Sequence, residues 1–306
     1  MLEAVDPDPL AAAVALRWAA ALHHLALRGR DPWAALWPPA PATDAQLDAA
    51  IAAAWAGERA HLDRALARAP QTNEVQRSAA LLPGLLHVAA ATGLPLALCE
   101  IGSSAGLNLW PDRHRIDYGA WASGPAEAPL ALRCDWQGPV PAGAATPLVV
   151  RSRAGCDLHP VDLRVPDEAL RLRSFVWPDQ AERVLRLARA IEVTAPWLRD
   201  EGVAVQAQPA AAFAAAQLAA PREGAATVLM HTIMWQYLPA AEQQAIAATL
   251  DAAGRRATRT APLAWLRLEP PVPDARAELR CRLWPGGDDV LLGRAHPHVA
   301  SFEAVA

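Results

Sequence analysis

Apolar residues recur at helical spacing along the first ninety positions, and the residues between these runs are those that helix ends favour. Asp8-Pro9 opens one amphipathic run that lasts to Gly29, and Asp31-Pro32 opens a shorter one that Pro38-Pro39 stops. Thr43 and Gln46 have the spacing of a capping box, and from it Leu47, Ile51, Trp55, Leu62 and Leu66 keep one apolar face until Pro70. A fourth helix is predicted from near Thr72, bent or broken at Pro83 and ended by Gly93.

Beyond Gly93 the pattern becomes one of short apolar runs alternating with helical ones. Leu96 to Ile101 fits a buried parallel strand, and Gly102 to Gly106 then leads into a short helix stopped by Pro111. Residues 112–156 are rich in Gly, Pro and Trp, with strand-like runs at Leu130–Trp136 and Leu148–Arg151, and read as a ribbon-like insertion. Asp179 with Glu182 is a second capping box, opening a helix through Ile191 whose apolar face is Val184, Leu185, Leu187 and Ile191. Strands follow at Val203–Gln208, Ala226–His231 and Leu263–Leu268, with helices after Pro209 and from Pro239 to Gly254. Glu278–Trp284 and Val290–Arg294, joined through Pro-Gly-Gly-Asp, read as a closing hairpin. These elements predict an α/β fold with a doubly wound, mostly parallel sheet and a C-terminal hairpin. A helical N-terminal extension (1–70) precedes the α/β domain (71–306).

Composition narrows the chemistry. The chain is 53% hydrophobic and 20% charged, which suits a globular protein with a substantial core. It contains no lysine, so P-loop nucleotide hydrolysis, pyridoxal Schiff bases, kinase chemistry and S-x-x-K acylation are excluded. A net charge of −4 and a pI near 6.1 provide no basic surface for general nucleic-acid binding. Four cysteines without a C-x-x-C pair read as free thiols in a reducing compartment, so a cytoplasmic location is expected. Glu3, Asp6 and Asp8 precede Arg17, the reverse of a signal peptide's charge order. Leu81 to Cys99 lacks charge but holds Pro83, Gly84, His87, Gly93 and Pro95, so it reads as helix, turn and strand rather than a membrane span. The only two asparagines, Asn73 and Asn108, fall in the segments richest in candidate chemistry.

The segment Leu98-Cys-Glu-Ile-Gly-Ser-Ser-Ala-Gly-Leu-Asn-Leu109 is a strand ending in an acid, followed by G-x-x-x-G and a helix start. In a doubly wound sheet this brings backbone N–H groups against an anionic ligand group. Gly102 would permit the turn, Gly106 would let a ligand approach the backbone, and Glu100 would bind an ammonium group. The segment resembles the first motif of class I S-adenosylmethionine-dependent methyltransferases. That resemblance implies a Rossmann-like domain with a cofactor site at Glu100, Gly102, Ser103, Gly106 and Asn108. A closer likeness is to the uncharacterised bacterial family called domain of unknown function 2332. It is carried by Gln71-Thr-Asn-Glu74, the run from Glu100 to Asn108, Phe175-Val-Trp-Pro-Asp179 and Trp235-Gln-Tyr-Leu-Pro239. It implies a methyltransferase-like domain and names no reaction.

Further residues complete the expected site. A ribose-binding acid belongs at the end of the second strand, where Asp157 is a better candidate than Asp117 because it follows the stronger strand pattern. The third-strand exit reads Gln208-Pro-Ala, a departure from the acid or polar residue that such enzymes often place there for adenine. His231, at the end of the fourth strand, is the candidate general base, with Trp235 and Tyr237 walling an acceptor pocket. A core histidine over packed aromatics is the plainer reading of the same residues. Asn73, Glu74 and Arg77 lie on one turn before the first strand, either folded over the cofactor site or forming a helix cap with Thr72.

Two rival chemistries share these residues. Gly102-Ser-Ser-Ala-Gly106 is a literal G-x-S-x-G with Ser104 as nucleophile, and Asp288 or Asp289 then His296 or His298 follow in the order a hydrolase needs. The helical chain upstream of Leu96 lacks the strands and oxyanion loop that such an elbow requires. Cys134, Cys156 and His159, or His296 and His298, are metal-ligating residue types without tight ligand pairs, and no metal is expected. The expectation is a small-molecule methyltransferase using S-adenosylmethionine, with a non-catalytic binding or scaffold protein on the same frame as the alternative. Neither nucleic acid nor a membrane is expected as a partner.

Overall fold

A computed structural model of the protein describes residues 13–37, 41–272, 275–296 and 298–305. The expected helix start at Asp8-Pro9 and the stop at Pro38-Pro39 lie outside them. The chain divides into two compact units, one made of 1–73 with 161–192 and the other of 74–160 with 193–306.

The first unit is helical. It holds α1 (Val14–Leu27), α2 (Trp33–Leu36), α3 (Asp44–Gly57) and α4 (Arg59–Ala67). The expected box is present: the Gln46 N–H donates to the Thr43 hydroxyl and the Thr43 N–H donates to the Gln46 side chain at 2.9 Å. The expected continuous face is corrected. The run breaks at Glu58; Leu62 and Leu66 are buried as expected, but Ile51 and Trp55 are exposed, and Ala50 and Ala54 are buried in their place. Small residues let α3 approach its neighbours closely, and Trp55 lies outside under the Arg59 guanidinium, 4.5 Å from its ring centre.

The second unit opens with α5 (Arg77–Thr92), which continues through Pro83 and ends at Gly93 in the left-handed region. Then come β1 (Leu96–Ile101), β2 (Arg115–Asp117), β3 (Ala122–Ser123), β4 (Ala131–Arg133), β5 (Asp135–Gln137) and β6 (Val150–Asp157). The chain next supplies α6 (Pro166–Ser174) to the helical unit, and α7 (Ala181–Asp200) carries it back. The segment 161–192 thus belongs with the N-terminal helices, and α7 runs well past Ile191. The remaining elements are β7 (Val205–Ala207), α8 (Ala210–Gln217), β8 (Ala226–Thr232), α9 (Ala240–Gly254), β9 (Leu263–Glu269), β10 (Ala277–Trp284), β11 (Asp289–Ala295) and β12 (Ser301–Ala304).

Among the described residues nine strands form one sheet in the order β5-β12-β11-β10-β9-β8-β1-β6-β7. It is a mixed α/β fold with a mostly parallel sheet. β7, β6, β1, β8 and β9 are all parallel, β9 to β12 pair antiparallel in succession, and β5 joins β12 in parallel. The residues read as one insertion serve two ends: β2, β3 and β4 make a small sheet of their own, whereas β5 and β6 belong to the large one. The expected strand Leu130–Trp136 is therefore split between two sheets.

Alternation along the strands assigns the helical layers. Cys99, Ile101, Leu229 and Leu263 pack with Phe213 of α8 and with Ile246 and Leu250 of α9. Leu266 faces the other way, against Gly84 of α5, where any added Cβ would overlap it. Helices thus cover both faces of β9, with α5 on one side and α8 and α9 on the other. No helix among the described residues is long and apolar enough to cross a membrane.

Candidate functional site

The strand order reverses beside β1: the chain moves outward through β6 and β7 and then returns to lay β8 on the other flank. In open α/β sheets the crevice at the carboxyl ends of such strands is where ligands bind. Here the backbone on both flanks is forced into the left-handed region by residues that disfavour it, Ser104 (φ 54°) after β1 and Ile233 (φ 48°) after β8. Strain of this kind is kept where surrounding contacts hold it, and the Ile233 N–H donates to the Leu268 carbonyl at 2.9 Å.

Glu100 is the penultimate residue of β1 and points to the α5 side, opposite Cys99 and Ile101. It is 1% exposed, and burial pushes its carboxyl up to about 8 despite the Arg77 guanidinium, with the Asp157 carboxylate adding to the rise. Arg77, the first residue of α5, is drawn below its ordinary value by burial, against the pull of Glu74, Glu269 and Glu100. Its Nη1 donates to the Thr232 carbonyl at 3.1 Å. Ser78 donates to the Asn108 Oδ1 at 2.9 Å. What remains is a set of buried polar atoms without hydrogen-bond partners: Arg77 Nε, Asn108 Nδ2 and Ser104 Oγ as donors, Glu100 Oε2 and Glu269 Oε2 as acceptors. Buried polar groups are nearly always paired, so each of these atoms has the capacity for a further partner.

The other expected residues are placed differently. The expected helix after the glycine loop is a single 3₁₀ turn, Leu107–Leu109, followed by another at Pro111–Arg113, so the loop does not lead into an α-helix. Gly102 (φ 68°) and Gly106 (φ 74°) do make the turn, but side chains fill the space beside them: Met234 at Gly102, and Val205 and Leu109 at Gly106. The Ser103 hydroxyl donates to the Glu100 carbonyl at 2.8 Å and tightens the loop. Asp157 ends the strand beside β1, whereas Asp117 lies on the small sheet. Asp157 Oδ2 accepts from the Ser104 N–H at 3.0 Å and its Oδ1 from the His159 N–H at 2.9 Å, so Asp157 clamps the loop. Glu74 is buried, and its Oε1 accepts from the Gln76 N–H. Both it and Asn73 precede α5 rather than lying on it, and Asn73 is the last residue of the N-terminal segment in the helical unit.

His231 requires a correction. It lies two residues after Leu229, hence on the α8 and α9 side of the sheet, whereas Glu100 faces α5. Its ring is fully buried, with Nδ1 2.6 Å from Glu269 Oε1 and Nε2 accepting from the Trp265 indole N–H at 3.0 Å. With both nitrogens committed and Trp235 stacked on the ring, His231 is not positioned as a base on an acceptor. Tyr237 is 75% exposed and within electrostatic reach of Arg77.

Sequence reasoning missed Ser78, Thr232 and Glu269. Their partners lie far along the chain, and only the acid closing the Leu263–Leu268 run offered a local signal for Glu269. The Ser104 hydroxyl meets no histidine, and no strand among the described residues precedes β1. All four cysteines are free and buried, and among the described residues no group of three or more His, Cys, Asp or Glu could hold a metal ion. Among curated proteins and solved structures, none matches the chain. Residues 1–303 match the family described as "Uncharacterized protein conserved in bacteria (DUF2332)", and the chain belongs to that family.

Proposed function

We propose that the α/β unit is a Rossmann-like, methyltransferase-type domain that binds S-adenosylmethionine by its amino-acid end and acts on a small molecule. The observation that carries this reading is the set of unpartnered buried atoms around Arg77, with Arg77 and Asn108 donating and Glu100, at the end of β1, and Glu269, at the end of β9, accepting. An α-amino acid offers a carboxylate to the first pair and an ammonium to the second. Glu74 and Glu269 beside one guanidinium, with Glu100 able to ionise when a cation arrives, also favour a ligand with net positive charge, as an ammonium next to a sulfonium provides. The parallel strands run third, second, first, fourth, fifth, the order of dinucleotide-binding sheets, which supports the same reading.

The fit is to the amino-acid end. Asp157 is engaged by two backbone amides, and the Gln208 side chain donates to Gln206, so neither is set aside for ribose or adenine. When bound, the cofactor would supply an electrophilic methyl group. Glu100 would give up its proton to hold the ammonium, Arg77 would orient the carboxylate, and Tyr237 would border the acceptor's side. The engagement of His231 and Asp157 favours a second reading, a binding protein on this frame without turnover.

Calorimetry with S-adenosylmethionine and S-adenosylhomocysteine tests both. Binding of the two, weakened at least tenfold by Glu100→Gln, with methyl transfer to a small-molecule extract, supports the enzyme. Binding without transfer supports the second reading, and no binding of either compound rejects both.

A further inference from the structure

In the helical unit α1 runs between α4 and α6, and together they line a cleft of about 150 Å³. Arg17, His24 and Arg28 succeed one another along one face of α1 and its cap, and Arg64 and Arg68 do the same on α4, so helical spacing concentrates them there. Arg171 enters from α6. Five arginines meet two carboxylates, Asp167 and Glu168, which leaves three positive charges uncompensated in a chain of net charge −4.

The two acids do not saturate the site. Glu168 accepts from Arg171 at 2.6 Å and lies 3.4 Å from Arg68, and Asp167 lies 3.5 Å from Arg28. Arg64 has no partner among the described residues. His24 is 5% exposed, yet its Nε2, 3.4 Å from Asp167, makes no hydrogen bond, and the Arg17 Nε is buried without an acceptor. Unpaired buried donors are costly, and an acceptor-only ligand would satisfy them. Guanidinium forks match the paired oxygens of phosphate and carboxylate. A phosphoryl group concentrates about two negative charges and three acceptor oxygens in one compact unit, which suits three excess cations better than a single carboxylate does.

We infer that this cleft binds the phosphoryl or diphosphoryl group of a small molecule. It is opposite in charge preference to the crevice beside β1 and does not depend on the function proposed for that crevice.

The test is calorimetry of the full chain with inorganic phosphate and inorganic pyrophosphate at constant ionic strength. The expected result is saturable binding, tighter for pyrophosphate. Arg64→Gln and Arg68→Gln alter exposed side chains, so circular dichroism should show the fold intact, and each should weaken binding about tenfold. Arg64→Lys should retain most of it, and Glu100→Gln should leave it unchanged. Absence of saturable heat, equal affinity in the folded Arg64→Gln/Arg68→Gln double variant, or loss of binding in Glu100→Gln would each overturn the inference.

Discussion

The Trp265 indole N–H donates to His231 Nε2 at 3.0 Å, which sets the imidazole tautomer so that Nδ1 carries the proton directed at Glu269. Glu269 Oε1 in turn accepts the backbone N–H groups of Met234 and Trp235, so the pair holds the turn after β8 in place.

From this relationship His231→Gln and Trp265→Phe should each destabilise the protein by about 1–3 kcal/mol, because each leaves a buried partner unpaired. Urea denaturation measures the loss. Binding of S-adenosylmethionine should change less than threefold, and complete loss of binding in folded His231→Gln would return the ring to the ligand site.

Glu100 makes stability depend on pH in a definite direction. Its carboxyl titrates near 8 when folded, against an ordinary 4.5. The folded chain therefore keeps a proton that the unfolded chain has released, and this contribution is full below about pH 4.5 and lost as pH rises towards 8. Glu100→Gln should flatten that slope and exceed the wild type at pH 8 by roughly 2–4 kcal/mol in chemical denaturation. Parallel profiles for the two proteins would show that Glu100 is ionised throughout.

Asp157 should matter through the loop it clamps. Asp157→Ala removes the acceptor for the Ser104 N–H and should cost about 1–3 kcal/mol, with faster amide exchange at residues 102–106. Unchanged exchange there would show that the clamp is not needed.

Gly155, in β6, passes directly beneath Ser103, where an added Cβ would overlap the Ser103 hydroxyl. Gly155→Ala should cost about 1–3 kcal/mol by overpacking, which thermal denaturation reads directly. Full stability in that variant would mean that the loop shifts freely.

Much of the α/β unit was legible because buried strands are continuous apolar runs between Gly and Pro. β1 has the expected bounds of Leu96–Ile101, and β8, β9, β10 and β11 differ from expectation by a residue or so. Facing was harder to read than position. Glu100 and His231 both lie near strand ends, yet one residue of parity sends them to opposite helical layers, and parity is resolved only by which helix covers which face. Ile51 and Trp55 failed for a related reason, since α3 buries its alanines. The pairings of Arg77 with Thr232 and His231 with Glu269 join residues 155 and 38 positions apart, beyond any local pattern.

The strand at the centre of the five parallel strands is also the first strand of that sheet to be synthesised. β1 is complete at Ile101, but β6 is not finished until Asp157 and β8 not until Thr232. At about 5–20 residues per second, translation leaves β1 without its second neighbour for on the order of ten seconds. Throughout that interval an apolar strand with an open edge is available to any other nascent chain. Soluble yield should therefore follow translation speed and early capture by chaperones, and slowing the ribosome between Ile101 and Thr232 should lower it even though the finished protein is unchanged.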